Sequence, residues 1–319
     1  MKQIFSKIVG TGSCLPKKII TNFDLEKTIE TSDEWIVSRT GIKQRHVISG
    51  DESTTSMALE SARRALAAAH LDAKAIDLII VATCSPDKTF PSTACYLQQA
   101  LGINNQCPVF DIAAACAGFV YATSIADRFI RTGGAKHALV IGSESISRYI
   151  DWQDRGTCIL FGDGAGAVVL SASDAPGIYS THLHAAGEHT GLLFGEHPAT
   201  KPANAFIQME GNAVFKLAVG HLGDIIDETL NANNMTRADI DWLVPHQANL
   251  RIIQAIAKRL DLPMERVIAT VDQHANTSAA SVPLALDHAV QQGKIKAGDL
   301  VLMEAFGGGM AWGSVLVRW

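Results

Sequence analysis

The chain repeats itself. "LDAKAIDLIIV" from Leu71 returns as "MTRADIDWLVP" from Met235, with Ile76-Asp77 matched by Ile240-Asp241 164 positions later. "GAGAVVL" (164–170) returns as "AWGSVLV" (311–317), placing Gly166 against Gly313, 147 positions on. Between them, the segment from Cys116 to Gly133 aligns with the segment from Asn276 to Gly293, a spacing of 160. Each match alone is common in proteins. Matched in one order, with spacings that differ only by loop length, they mark an internal duplication. Such a chain is constrained to fold as two copies of one plan, joined near "SASDAPGIYS" (171–180), which sets the expected halves at 1–173 and 174–319.

The repeated plan is α/β. "DLIIVATCS" (77–85), "HALVIGSES" (137–145) and "LVLMEAFGGG" (300–309) are apolar runs of strand length between helix-patterned segments. Runs that are apolar on both faces require cover on both sides, as in layered α/β folds. Ligands of such sheets bind at strand ends, where helices begin. Two helices are expected to begin at Cys116 and at Asn276, and the pseudo-symmetry brings both to one cleft.

Composition narrows the class. A chain of 319 residues, 47% hydrophobic and 18% charged, is an ordinary packed protein. A net charge of -5 argues against general nucleic-acid binding. The six cysteines show no C-x-x-C pair and no zinc spacing, which suits reduced thiols in a cytosolic compartment. The opening "MKQIFSKIVGTGSCLP" is too poor in apolar residues for a signal peptide, and no run approaches the roughly eighteen needed for a membrane span. A soluble intracellular protein without membrane or nucleic-acid partners is expected.

Cys116 lies in "FDIAAACAGF" (110–119), where a packed core thiol and a nucleophile are both tenable. The following segment places Phe119, Ala122, Ala126, Phe129 and Ile130 at helical spacing, with Gly133-Gly134 as the stop. On the first turn of that helix, unpaired N–H groups and the helix dipole favour a thiolate. Burial opposes it. Partners are limited to His246 in "VPHQANLRI" and to His274 and Asn276 in "HANTSAAS". His246 is the stronger histidine, since it ends a strand at the position the repeat selects. The pair His182 and His184 has no third ligand in view, so no metal is expected. The glycines of "EAFGGG" (304–309) suit either a tight turn or backbone donors to an oxyanion. "FGDGAGA" (161–167) lacks the spacing of a dinucleotide loop.

Taken together, "DIAAACAGF", "VPHQANLRI", "NTSAAS", "EAFGGG", "TSDEWIVSRTGI" and "DRGTCILFGDGAGA" resemble the β-ketoacyl-acyl carrier protein synthase III family of the thiolase superfamily, over essentially the whole chain. Ala275 departs from the glycine common after this histidine in bacterial relatives. The resemblance implies a thiolase-like, duplicated five-layered αβαβα fold. It implies the decarboxylating condensation that starts fatty-acid synthesis: acyl-CoA, usually acetyl-CoA, acylates a cysteine, and malonyl-acyl carrier protein loses CO2 and attacks. No cofactor is implied, coenzyme A entering only as the substrate thioester, and a homodimer and a cytoplasmic location are.

By motif match, Cys116 is then the nucleophile, and His246 and Asn276 bind the malonyl thioester oxygen. The N–H groups of Cys116 and Gly308 would hold the acyl-transfer oxyanion. Trp35 and Arg155 would sandwich adenine, with Thr31 and Arg39 alongside. Phe161, Leu193, Met209, Gly211, Phe215, Ala248 and Asn249 would line the substrate tunnel. Phe306 and Phe90 would lie near the decarboxylation site and acyl pocket, Phe90 reaching toward the partner subunit. Arg251 foremost, with Lys216, Lys258, Arg259 and the run Gln247, Ala248, Asn249 and Leu250, would meet the acidic carrier protein, by electrostatic steering.

Other classes remain open on sequence alone. The order Cys116, His246, Asn276 is also that of papain-like hydrolases, although the local cysteine signature is missing. A thiolase would place a second cysteine in "AFGGGMAWG", which has none. A polyketide- or quinolone-type condensing enzyme taking a longer acyl primer is the nearer rival. A non-enzymatic interaction protein would have no need of the intact Cys-His-Asn set.

Overall fold

Two sheets carry the duplication. The computed structural model describes residues 3–196, 200–201 and 205–319. The first sheet contains β1 (Phe5–Cys14), β2 (Leu78–Ala82), β3 (Val109–Ile112), β4 (His137–Glu144) and β5 (Gly164–Ser173), in the order β1-β5-β4-β2-β3. The second contains β6 (Ile178–Ala185), β7 (Trp242–Pro245), β8 (Leu300–Gly307) and β9 (Ala311–Arg318), in the order β6-β9-β8-β7. In both, the long antiparallel strands lie at one side, and a parallel pair, β4 with β2 or β8 with β7, lies at the other. A single parallel bridge from Leu243 to Val267 occupies the place that β3 fills in the first copy. The repeats read in the sequence are therefore β2 with β7 and β5 with β9.

Alternation along the strands sorts the side chains into layers. Ile79, Val81, Leu139, Ile141 and Val169 face outward onto α1 (Thr54–Ala68) and α2 (Thr93–Ala100). Their neighbours Leu78, Ile80, Val140 and Val168 face inward onto α3 (Gly118–Arg131) and α6 (Ser281–Gln291). From the other side Val301, Met303, Val315 and Val317 of the second sheet close on those same two helices. Leu300, Leu302 and Leu316 face outward onto α4 (Gly211–Ala232) and α5 (Leu250–Arg259). The result is helix, sheet, shared helix pair, sheet, helix. It is the five-layered αβαβα arrangement of the thiolase-like fold. Among the described residues, no helix is long and apolar enough to cross a membrane.

The two helix starts need correction. Cys116 is not on the first turn of α3 but in a 3₁₀ turn, Ala115–Ala117, just ahead of it. Asn276 lies further out, before a matching turn, Ser278–Ala280, that leads into α6. Ala115 (φ 44°) and Ser278 (φ 50°) open these turns in the left-handed region, which only glycine enters freely. The turns aim residues at the sheet ends that a plain helix start would send elsewhere.

Backbone contact holds this centre. A Cβ at Gly142 would lie 2.2 Å from the carbonyl oxygen of Ala279, so only glycine fits where β4 meets the second turn. Gly142→Ala is therefore expected to cost about 2 kcal/mol or more in chemical denaturation, as overpacking against a main chain does. Gly220, inside α4 with nothing within 4 Å of its added Cβ, should gain ~0.5–1 kcal/mol from the same change.

Candidate active site

His246 follows the last residue of β7, and its N–H donates to the Glu304 carbonyl of β8 at 2.8 Å. Its ring is buried, with Nδ1 2.5 Å from the hydroxyl oxygen of Ser281. Ser281 already accepts the Gln247 N–H at 3.4 Å, and His246 is the only described partner that can take its proton. The serine thus donates to Nδ1, which leaves the ring hydrogen on Nε2. Burial pushes the imidazole down to about 3, so it is neutral across the physiological range.

Asn276 is fixed in a similar way. Its backbone bridges the segment 160–162, donating to the Leu160 carbonyl at 2.9 Å and accepting from Gly162 at 3.0 Å. Its Oδ1 accepts the Ser278 N–H at 2.8 Å, and only the oxygen can do so. The NH₂ group is left for the cleft.

His246 and Asn276 both line a cleft of about 360 Å³. Phe161, Leu193, Met209, Gly211, Phe215, Ala248, Asn249 and Phe306 share that lining, and the outer end reaches Trp35 and Arg39. At that end Ser32 caps the helix Asp33–Thr40 by accepting the Trp35 N–H at 3.1 Å. The Arg39 guanidinium stands 5.9 Å from the Trp35 ring and that of Arg155 only 4.8 Å. The Thr31 hydroxyl is buried and has no hydrogen-bond partner among the described residues.

Cys116 is 6% exposed and is not among the residues on the cleft wall. It lies behind "FGGG": a Cβ on Gly307 would sit 2.6 Å from the Cys116 nitrogen. The Ser278 hydroxyl faces its sulfur. Burial, with the buried Glu144 carboxyl adding to it, pushes the thiol up to about 12, against the lowering by Ser278. Sequence reasoning expected the helix start to favour a thiolate, but desolvation outweighs it. Burial thus favours the neutral form of both the Cys116 thiol and the His246 imidazole.

Of the expected carrier-protein contacts, Gln247 and Arg259 do not fit. Gln247 is 1% exposed, and its amide binds the Pro245 and Ile268 carbonyls and the Thr270 N–H, so it has no face for a partner. Arg259 is engaged by Asp224 and Asp227 of α4, whereas Arg251, Lys216 and Lys258 are exposed. Phe90 is 83% exposed and does not touch the cleft. His274 packs edge-on against His46 and His288, away from the cleft. His182 and His184 share one carboxylate, Glu228, and no metal-binding cluster occurs among the described residues. Sequence reasoning missed Ser278, Ser281 and Glu144. The two serines stand inside "NTSAAS", and their three-residue spacing across a helix start was the available signal.

A duplicated αβαβα fold with a Cys, a His and an Asn at the ends of both copies defines a thiolase-like condensing enzyme. The comparisons narrow this further. Residues 110–187 match the family described as 3-oxoacyl-acyl-carrier-protein synthase III, and 230–319 match its C-terminal counterpart. The chain is 58% identical to the β-ketoacyl-acyl-carrier-protein synthase III of Thioalkalivibrio sulfidiphilus, covering 98% of this chain and 99% of that one. The crystal structure of 3-oxoacyl-acyl-carrier-protein synthase III from Aquifex aeolicus superposes with a TM-score of 0.94 at 47% identity, covering 98% of this chain and 100% of that chain. A priming β-ketosynthase from a polyketide biosynthetic pathway superposes as well, with a TM-score of 0.95, at 36% identity, covering 99% of this chain and 97% of that chain. The protein belongs to the β-ketoacyl-acyl-carrier-protein synthase III family.

The protonation assignment is directly measurable. In nitrogen-15 NMR, His246 is expected to show a neutral, Nε2-protonated ring with no titration between pH 8 and 5, because its value of about 3 lies below that window. Ser281→Ala should bring in the Nδ1–H tautomer.

Proposed function

We propose that the protein catalyses the decarboxylating condensation of an acyl-CoA, most simply acetyl-CoA, with malonyl-acyl carrier protein, giving 3-oxoacyl-acyl carrier protein, CO2 and CoA. The chemistry needs no further cofactor. The observation that carries the reading is the pair of donors, His246 Nε2–H and Asn276 Nδ2–H, locked from behind by Ser281 and by the Ser278 N–H. Loss of CO2 from a malonyl thioester leaves negative charge on the thioester oxygen. Two preorganised donors in a dry cleft stabilise that enolate without reorganising. A neutral histidine suits this role, since it donates a hydrogen bond without surrendering its proton.

Cys116 is read as the nucleophile, and the N–H groups of Cys116 and Gly308 as the oxyanion donors of acyl transfer. The halves 1–173 and 174–319 then divide the work, the first carrying the thiol and the second the enolate donors. The CoA chain would run along the cleft past Phe215, Met209 and Leu193 to its mouth. There adenine would enter between Trp35 and Arg155, with Thr31 supplying an unused hydroxyl. Arg251 at the cleft, with exposed Lys216 and Lys258, would meet the acidic carrier protein. We read the protein as a cytoplasmic homodimer, with the exposed Phe90 directed at the partner.

Separable losses test the assignments. Cys116→Ala should abolish self-acylation by radiolabelled acetyl-CoA. His246→Ala and Asn276→Ala should leave self-acylation within a few-fold while slowing decarboxylation by about 10²–10³. Equal loss of self-acylation in all three folded variants contradicts the division of roles. In light scattering, the homodimer should show twice the 34.1 kDa chain mass, and Phe90→Asp should shift it toward one chain.

A further inference from the structure

Proton transfer from Cys116 has no acceptor in the chemistry described so far. His246 cannot serve, because Ser281 occupies Nδ1 and the nitrogen left for the cleft already bears hydrogen. The mechanism leaves one ionisable group beside the thiol unused. Glu144, at the end of β4, has no exposed surface. Its oxygens accept the Cys84 N–H at 3.1 and 3.2 Å, the Ser85 hydroxyl at 2.5 Å and the Thr83 hydroxyl at 3.3 Å. The fourth donor is the Ser278 hydroxyl at 3.2 Å, the same hydroxyl that faces the Cys116 sulfur.

No lysine or arginine among the described residues comes within ion-pair distance of Glu144. The titratable groups facing it are the thiols of Cys84 and Cys116 and the phenol of Tyr149. A carboxyl held only by neutral donors can exist in either state. Burial raises it to about 7, near the pH at which a general base works best.

We propose that Glu144 accepts the Cys116 proton through the Ser278 hydroxyl and stores it while the acyl group occupies the sulfur. The inference rests on the acyl-transfer reading above. In the first half-reaction the thiol proton passes to Ser278 Oγ as the serine proton passes to the Glu144 carboxylate. The sulfur attacks the thioester carbonyl, the carbon–sulfur bond to CoA breaks, and the CoA thiolate leaves with the electron pair to take a proton from water. In the second half-reaction the carbanion formed by loss of CO2 attacks the acyl carbon and expels the Cys116 thiolate. The stored proton returns through Ser278 to that thiolate. One proton is drawn from solvent per turnover, as acyl-CoA and malonyl thioester become 3-oxoacyl thioester, CO2 and CoA thiol.

The test is the pH dependence of Cys116 acetylation by acetyl-CoA without carrier protein, read by mass spectrometry of the Cys116 peptide. The wild-type rate should rise through an inflection near 7 and level off. Glu144→Gln should be ~10²-fold slower at pH 8, lack the inflection and continue to gain rate with hydroxide. Glu144→Asp should restore the inflection in part. Ser278→Ala, which keeps the backbone N–H that orients Asn276, should resemble Glu144→Gln, and it decides the matter should Glu144→Gln not fold. Superimposable profiles for wild type and the folded variants overturn the relay. So does a loss of equal size at every pH with the inflection intact. A wild-type protein that is never acetylated at Cys116 overturns the acyl-transfer reading instead.

Discussion

Two short turns, 115–117 and 278–280, press against each other between the sheets, and the reacting groups take their places from that contact. A Cβ on Gly118 would lie 3.0 Å from Ala82 and 3.3 Å from Ala279, and Gly142 allows Ala279 to lie against the strand itself. Because the contact is main chain and methyl rather than long side chains, it has little room to adjust. Ser278 is thereby brought to the sulfur of Cys116, and Ser281, three residues on, to the ring of His246. The first pair joins the two halves of the chain, whereas Ser281 and His246 both belong to the second. The duplication supplies two similar turns, and their packing makes one centre of them.

The same burial that excludes water sets the charges. Desolvation raises Cys116 and Glu144 and lowers His246, each toward its neutral form. A thiolate at Cys116 or an imidazolium at His246 would each have to overcome that desolvation. Charge therefore has to be created during the reaction, on a sulfur or a thioester oxygen, where donors are already aimed. Glu304 shows what burial does without such partners. It is fully buried on β8, has no hydrogen bond to its carboxyl among the described residues, and is driven well above the usual carboxylate range. Burial there favours its neutral acid form.

Much of this was legible in the amino-acid order. The strand at 78–82 and its echo at 242–245 carry Ile-Asp just before them in both copies, so the duplication was readable from a few residues. Cys116 and His246 were legible because each stands just beyond a strand, and Asn276, which follows the short helix 271–274, because the repeat matches it to Cys116. The supporting shell was not. A serine at a helix start reads as a cap, and nothing local says that its hydroxyl will meet an imidazole from another strand. Gln247 reads as a surface residue for a comparable reason, since its three hydrogen bonds inside the fold are made with segments on both sides of it. Arg259 read as a free cation because Asp224 and Asp227 lie more than thirty positions earlier.

The floor and the mouth of the cleft differ in stiffness, and that difference fits the order of events. At the mouth Arg155 sits 4.8 Å from the Trp35 ring, too close for another ring to lie between them. Two stacking distances require about 7 Å, so on the proposed reading an adenine entering there would displace the guanidinium. An exposed cation–π contact is worth only about 0.5–1 kcal/mol, and on that reading the stacking of the adenine would replace it. Opening the mouth is therefore cheap and is offset by the ligand that opens it. The floor offers no such exchange, because Gly142 and Gly307 bring backbone against backbone. The entrance can rearrange at little cost, whereas the turns that carry Cys116 and precede α6 hold nearly one geometry.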